Sequence, residues 1–151
     1  MRFTVAAATA LFGAIAAAAP TSPQSSSPPD PNTYENIDID DLYVRKNDGI
    51  QSVSFKLSGK NATDLDCSAS NPGLPSEVIT CGESKYRFAL ENGETTEFAL
   101  HIYHELGLAF GFSAKGDVPT YCHAGGNGPD DFVCAQTNPT TIVIDANPVQ
   151  G

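Results

Sequence analysis

The sequence predicts an all-β, antiparallel, barrel-like single domain of about ten strands with two intrachain disulfides. Three observations carry this expectation. Hydrophobicity alternates with a period of two along nearly the whole chain after residue 33, and no stretch there shows a helical stripe. Turn signals rich in glycine, asparagine and proline separate the alternating runs at intervals of about ten residues. Four cysteines, Cys67, Cys81, Cys122 and Cys134, bracket two of the turn-rich stretches.

The first residues read as targeting rather than as fold. Met1-Arg2 precede an apolar, alanine-rich run from Phe3 to Ala19, and Ala16 and Ala18 satisfy the small-residue cleavage rule, so residues 1–18 are expected to be a secretory signal peptide. The run is short of the roughly 20 apolar residues of a spanning helix. The secreted form is expected to start at Ala19. Intact-mass analysis of protein from culture medium checks this, and retention of Phe3 to Ala18 would contradict it. Residues 19–33 form a Pro/Ser-rich leader without apolar side chains to offset the entropy of ordering, and are expected to be flexible. Residues 34–151 remain as one domain, long enough for a single core.

Within that domain, Ile37 and Ile39 share one parity while Leu42 and Val44 share the other, which places a bulge near Asp40-Asp41 in the first strand. Asn47-Asp48-Gly49 turns the chain into Val53, Phe55 and Leu57, alternating with Ser54, Lys56 and Ser58. Ser58-Gly59-Lys60-Asn61 and Asn71-Pro72-Gly73 are the next turns. Tyr86, Phe88 and Leu90 form an apolar face that ends at Glu91-Asn92-Gly93. Phe98, Leu100 and Ile102 follow, then Leu108, Phe110 and Phe112 on one further face, with a turn expected at Lys115-Gly116-Asp117. Ile142 and Ile144 alternate with Thr141, Val143 and Asp145 in the last strand.

Charge narrows the partners. Without Arg2 the chain has seven basic and eighteen acidic residues, a net charge near −11. Nucleic acid is disfavoured, because its affinity comes mainly from Lys and Arg on phosphates. Anionic membrane surfaces are disfavoured for the same reason. A soluble extracellular protein with a protein partner fits the balance.

Catalytic and metal constellations do not assemble. His101 and His104 lie three apart, on opposite faces of a strand, so a site made with His123 is not expected; surface or half-buried histidines are. Carboxylates are plentiful, but no pair is marked out for glycosidase work and there is no tryptophan to stack on a sugar. No serine sits in a Gly-X-Ser-X-Gly elbow. Gly125-Gly126-Asn127-Gly128 lacks the Lys-Ser or Lys-Thr and the helix of a phosphate loop. No enzyme, cofactor or metal is expected. Asn61-Ala62-Thr63 is an N-glycosylation sequon beside a turn, hence accessible.

Four cysteines in a secreted chain imply two disulfides, with three connectivities open; the sequential one closes two short loops. Leu65 shares parity with Cys67 and Phe132 with Cys134, so the bridges are expected to be mostly buried. Between Cys122 and Cys134 lie three glycines, an asparagine and a proline, which neither continue a strand nor start a helix.

That last stretch, Tyr121-Cys122-His123-Ala124-Gly125-Gly126-Asn127-Gly128-Pro129-Asp130-Asp131-Phe132-Val133-Cys134, resembles the late cysteine loop of the Alt a 1 family of secreted fungal allergens and plant-immunity elicitors. Ile39 to Lys46 resembles that family's first strand, and Leu65 to Ala69 with Thr80 to Glu83 its first cysteine pair. The resemblance spans residues 36 to 146. It implies a β-barrel of the family's own type and the pairing Cys67–Cys81 with Cys122–Cys134. It further implies a non-enzymatic effector or elicitor whose partner is a host extracellular protein such as a thaumatin-like defence protein, with allergen potential. The alternative is a carrier of small, flavonoid-like apolar ligands inside the barrel. Members that dimerise covalently use a further cysteine near the mature N-terminus; residues 19–66 contain none, leaving a monomer or a non-covalent dimer. If one loop meets the partner, the expected contacts are His123, Asn127, Asp130 and Asp131, because binding residues gather on loops held by a rigid sheet.

Overall fold

The computed structural model describes residues 27–146. The signal peptide, the Ala19 start, the leader up to residue 26 and the last five residues lie outside them. Ten strands follow one another: β1 (Tyr34–Asn47), β2 (Ile50–Gly59), β3 (Ala62–Ser70), β4 (Ile79–Thr80), β5 (Tyr86–Asn92), β6 (Phe98–Gly107), β7 (Phe110–Val118), β8 (Thr120–Ala124), β9 (Asp131–Gln136) and β10 (Thr140–Asp145). All pairings are antiparallel. The main path through the sheet runs β3-β2-β1-β10-β7-β6-β5-β4, with the β8–β9 hairpin joined to β1 through β9. The result is a nearly closed barrel whose two end strands are tied by the Cys67–Cys81 disulfide, from β3 to the residue just after β4.

β1 organises the whole. Its first half pairs β10 from Tyr34 to Ile39, and its second half pairs β9 from Tyr43 to Asn47. The expected bulge is the hinge between the two. Asp41 has φ +55°, and the register with β2 slips between Asp40 and Tyr43. The slip changes the parity, so Ile37, Ile39, Leu42 and Val44 all point inward. The fork where β9 and β10 part leaves backbone groups open, and the Gln136 amide fills it. It accepts from the Leu42 N–H at 2.9 Å and donates to the Ile39 carbonyl at 2.8 Å. This fork places the late cysteine loop beside the end of β1.

The core is the predicted set of alternating faces: Val53, Phe55 and Leu57, Tyr86, Phe88 and Leu90, Phe98, Leu100 and Ile102, Ile142 and Ile144. Phe55 and Phe88 meet edge to face at 4.9 Å between centroids. These side chains occupy the space between the strands, and the described hollows all open at the surface.

Four expectations need correction. The turn expected at Lys115-Gly116-Asp117 is interior to β7. Gly116 is needed because a Cβ there would lie 2.7 Å from Ile142 Cγ1, so the missing side chain admits β10 rather than bending the chain. Leu108, Phe110 and Phe112 do not share a buried face: Phe112 goes in, while Leu108 and Phe110 are exposed. His101 and His104, expected at the surface or half-buried, are buried, because β6 is covered on both sides over most of its length. Cys67, Cys81 and Cys134 are buried as expected, but Cys122 is half-buried, since β8 pairs only with β9.

Candidate surface site at the late cysteine loop

β8 and β9 pair from Thr120↔Gln136 to Ala124↔Phe132, with Cys122 directly opposite Cys134 and bonded to it. The expected connectivity, Cys67–Cys81 and Cys122–Cys134, is the one present. Beyond Ala124 the chain leaves the ladder, and Gly126 and Gly128 take φ of +95° and +116°, a region that glycine enters without a Cβ clash. Hydrogen bonds return the chain to β9. The Gly125 N–H donates to the Asp131 carbonyl at 2.8 Å, and the Asp131 N–H to the Gly128 carbonyl at 3.3 Å.

Asp131 is the anchor beneath this loop. Its Oδ2 accepts from the Asn127 N–H at 3.0 Å and pairs with Arg45 Nη2 of β1 at 3.2 Å. Burial alone would raise its pKa. The Asn127 N–H and the Arg45 guanidinium outweigh burial and hold the carboxyl below its ordinary value. Arg45 Nε and Asp131 Oδ1 are buried and have no partner, so the pair stops one bond short of the two-bond arrangement common for arginine and carboxylate. Asp131 is therefore withdrawn from the expected contact residues: it is fully buried and sets the loop's shape from below. His123, Asn127 and Asp130 are exposed, as is Pro129 between them.

Gly125 completes the anchor. A Cβ there would lie 2.4 Å from Asp131 Oδ2. Gly125→Ala is expected to push the carboxylate off Asn127 and Arg45, lower the melting temperature and speed amide exchange from residue 124 to 131. Scanning calorimetry and exchange mass spectrometry check this. An unchanged exchange rate would remove the anchoring role.

Lys46 joins the loop to its neighbours. It pairs with Glu97 and lies over the rings of Phe132 at 5.5 Å and Phe98 at 5.9 Å. Two hollows meet at it. One of about 280 Å3 is lined by Lys46, Asp48, Gly49, Asp130 and Phe132. The other, about 430 Å3, runs past Ile50, Pro72, Leu74 and Phe98. The late loop, the β1–β2 turn and the turn inside the first disulfide therefore border on neighbouring hollows that share Lys46 and Gly49. Sequence reading placed all three turns but named only the first as a contact surface. Arg45 and Lys46 stood in the stretch that resembled the family's first strand, but strand parity alone does not say which loop a side chain supports.

The remaining candidates lie apart. Asn61 is exposed in the β2–β3 turn, with its sequon accessible. His101 contacts Glu91 at 3.3 Å and stacks on Tyr103. His104 belongs to a buried cluster with Glu35 and Tyr86, and His123 lies on β8, so the three histidines do not gather. Among the described residues, the metal-competent grouping is Glu97 with Cys122 and Cys134, whose sulfurs are held in the disulfide and offer no thiolate.

Comparison with known proteins gives the chain its relatives. It is 66% identical to the effector protein PevD1 of Verticillium dahliae, with 98% of this chain and 96% of that protein covered. It is 32% identical to the major allergen Alt a 1 of Alternaria alternata, over 89% of each chain. The crystal structure of Alt a 1 superposes with a TM-score of 0.61 at 28% identity, covering 84% of this chain and all of that one. These relatives carry the names of effectors and allergens, not of enzymes. A sequence profile described as Alternaria alternata allergen 1 matches residues 39–134, which include all four cysteines, and the chain belongs to that family.

Proposed function

We propose that the protein is a secreted, non-enzymatic fungal effector of the Alt a 1 type that binds a host extracellular defence protein through the barrel end bearing the late cysteine loop. The observation that carries this reading is the construction of the loop. A disulfide closes its base, the buried Asp131 carboxylate fixes its backbone, and Asn127, Pro129 and Asp130 are left pointing outward. A loop held in one shape loses little entropy on binding, which is what a recognition element needs. The relatives named as effector and allergens support the same class, with secretion, allergen potential and action in the plant apoplast as its consequences. The acidic surface suits a basic partner, and a thaumatin-like protein is the candidate class.

The carrier reading would need an enclosed apolar space. Phe55 and Phe88 meet edge to face within a continuous aliphatic core, and that packing favours display over transport.

The test is capture from plant apoplastic fluid. Immobilised mature protein is compared with an Asn127→Ala/Asp130→Arg variant whose melting curve is intact. Proteins retained by the wild type and released by the variant are the expected result. Equal retention by both would overturn the assignment to this loop.

A further inference from the structure

β8 leaves one edge of the sheet open. Among the described residues it pairs with β9 alone, whereas β3 and β4, at the two ends of the main path, are tied together by the Cys67–Cys81 disulfide. Hydrogen bonds at the two ends of β8 fix which of its backbone groups face outward. The Thr137 N–H donates to the Pro119 carbonyl at 3.0 Å, and the Gly125 N–H to the Asp131 carbonyl at 2.8 Å. Opposite residues in an antiparallel pair alternate between bonded and non-bonded, and the register from Thr120↔Gln136 to Ala124↔Phe132 has no slip. Tyr121 and His123 therefore bond to β9. Thr120, Cys122 and Ala124 turn their N–H and C=O groups the other way, toward a side with no strand beside it.

Natural edge strands are blunted by lysines, prolines or bulges. Thr120-Tyr121-Cys122-His123-Ala124 carries none of these. Tyr121 and His123 are exposed, Tyr121 at 68%. Glu97 lies against the same strand. Its Oε1 pairs with Lys46, and its Oε2 lies 3.0 Å from Cys122 Sγ. A disulfide sulfur has no hydrogen to donate, so this oxygen is left free to accept from outside.

We infer that β8 is a strand-addition site, at which an extended basic segment of the host partner completes the ladder at Thr120, Cys122 and Ala124 and sets a lysine or arginine on Glu97 Oε2. The open groups select the shape of the occupant: a row of donors and acceptors on alternate residues is matched by an extended chain. Charge selects its chemistry. β8 has no acidic residue of its own, but Glu97 and Asp130 flank it in a chain of net charge −10, so cationic side chains fit and acidic ones are repelled. The Tyr121 ring is within reach of a side chain on the added strand. This partner chemistry rests on the reading above of the barrel end as host-facing, and adds what the partner must present there.

Amide exchange followed by NMR, with the peptide acetyl-Lys-Val-Lys-Val-Lys-Val-amide as probe, tests this on the mature protein. In the free protein the Thr120, Cys122 and Ala124 amides should exchange fast, and those of Tyr121 and His123 slowly. The peptide should slow the first three, and a Glu-Val peptide of equal length should not. Of two copies N-methylated at the lysines or at the valines, one should lose binding, because a single edge of the added strand pairs. Ala124→Pro removes an outward N–H and no bond to β9, so it should weaken the peptide at least about fivefold while the β8–β9 ladder stays protected. Unchanged binding of both N-methylated copies, or protection away from β8, overturns the inference. So does slowing of the same three amides by raised protein concentration alone, which would give the edge to a second copy. Capture from apoplastic fluid separates strand addition from the function it rests on. A protein held equally by wild type and Ala124→Pro, yet released by Asn127→Ala/Asp130→Arg, keeps the loop as the contact and overturns strand addition. Peptide bound at β8 with nothing captured sinks the host-protein reading and leaves the strand-addition site standing.

Discussion

Glu35→Ala is expected to destabilise the protein by about 3–5 kcal/mol, the usual cost of removing one partner from a buried charged cluster. Glu35 lies in the first half of β1 with 1% of its surface exposed. Its Oε1 accepts from the Tyr86 hydroxyl at 2.6 Å and the Lys60 N–H at 2.7 Å, and its Oε2 lies 2.6 Å from His104 Nδ1. An ionised carboxylate only accepts, so His104 Nδ1 carries the hydrogen. Tyr86 stacks on the His104 ring at 4.0 Å, and its oxygen accepts from the Asn61 N–H at 3.1 Å. Gly59 leaves the room: a Cβ there would lie 2.6 Å from Glu35 Oε1. Alanine at position 35 strands several buried donors at once, joining β1, β5, β6 and the β2–β3 turn no longer. For a domain of this size the melting temperature should fall by on the order of 10–20 °C. Glu35→Gln, which still accepts through one oxygen, should fall between wild type and alanine.

The same residue sets an acid limit. Burial pushes the Glu35 pKa up, but the bonds from Tyr86, His104 and Lys60 outweigh it, and the folded value lies below the ordinary 4.5. A depressed carboxylate stabilises the fold above its unfolded pKa, and that contribution is lost as pH falls through the folded value. The stabilisation from Glu35 should therefore be fully present and independent of pH near neutrality, and be lost as pH falls below 4.5. Glu35→Gln should remove this part of the loss in acid. It should leave the part due to Asp131 and to Asp117, whose pKa is held at about 2 by the Thr95 hydroxyl and the Glu94 and Thr95 N–H groups.

Removing the Cys67–Cys81 bridge is the second large effect. Cys67→Ser with Cys81→Ser should cost about 2–5 kcal/mol, as for native disulfides in small secreted domains. The reason is partly topological. β4 is two residues long and pairs with β5 only at Ile79 and Thr80, so the bridge does most of the joining between the ends of the sheet path. Amide exchange should rise first along β3 and around residues 76–81. Removing Cys122–Cys134 instead should act locally, loosening residues 124–131 while the barrel seam keeps its protection. The opposite pattern in the two variants would contradict this division.

Much of this architecture is legible in the chain. Alternation places the main strands, and the parity change between Ile39 and Leu42 places the bulge, because inward and outward positions on a strand are fixed by the pleat. What the sequence leaves open depends on which elements lie across from one another. Gly116 looks like a turn residue until Ile142 is seen above it. Leu108 and Phe110 look like core until the β6–β7 hairpin is found to outrun its neighbours. Glu35 and His104 look like surface by residue type until Glu35 is found on the inward face of β1 with Ile37, and His104 on that of β6 with Ile102, each supplying the other's partner. For the site, the glycines and cysteines announce a clamped loop, but Asp131 cannot be told from its neighbour Asp130 by residue type. Their opposite roles follow from Arg45, which comes from a strand 86 residues earlier.

The central claim is that the anchored loop end is the surface a host protein reads. Amide hydrogen exchange on the purified protein, alone and bound to the apoplastic protein it captures, tests that claim most directly. Protection should appear across residues 124–131, extend to the β1–β2 turn at Asp48 and Gly49, and leave the β6–β7 hairpin unchanged. Protection confined to β3, β5 or that hairpin, with the loop exchanging as it does in the free protein, would contradict it.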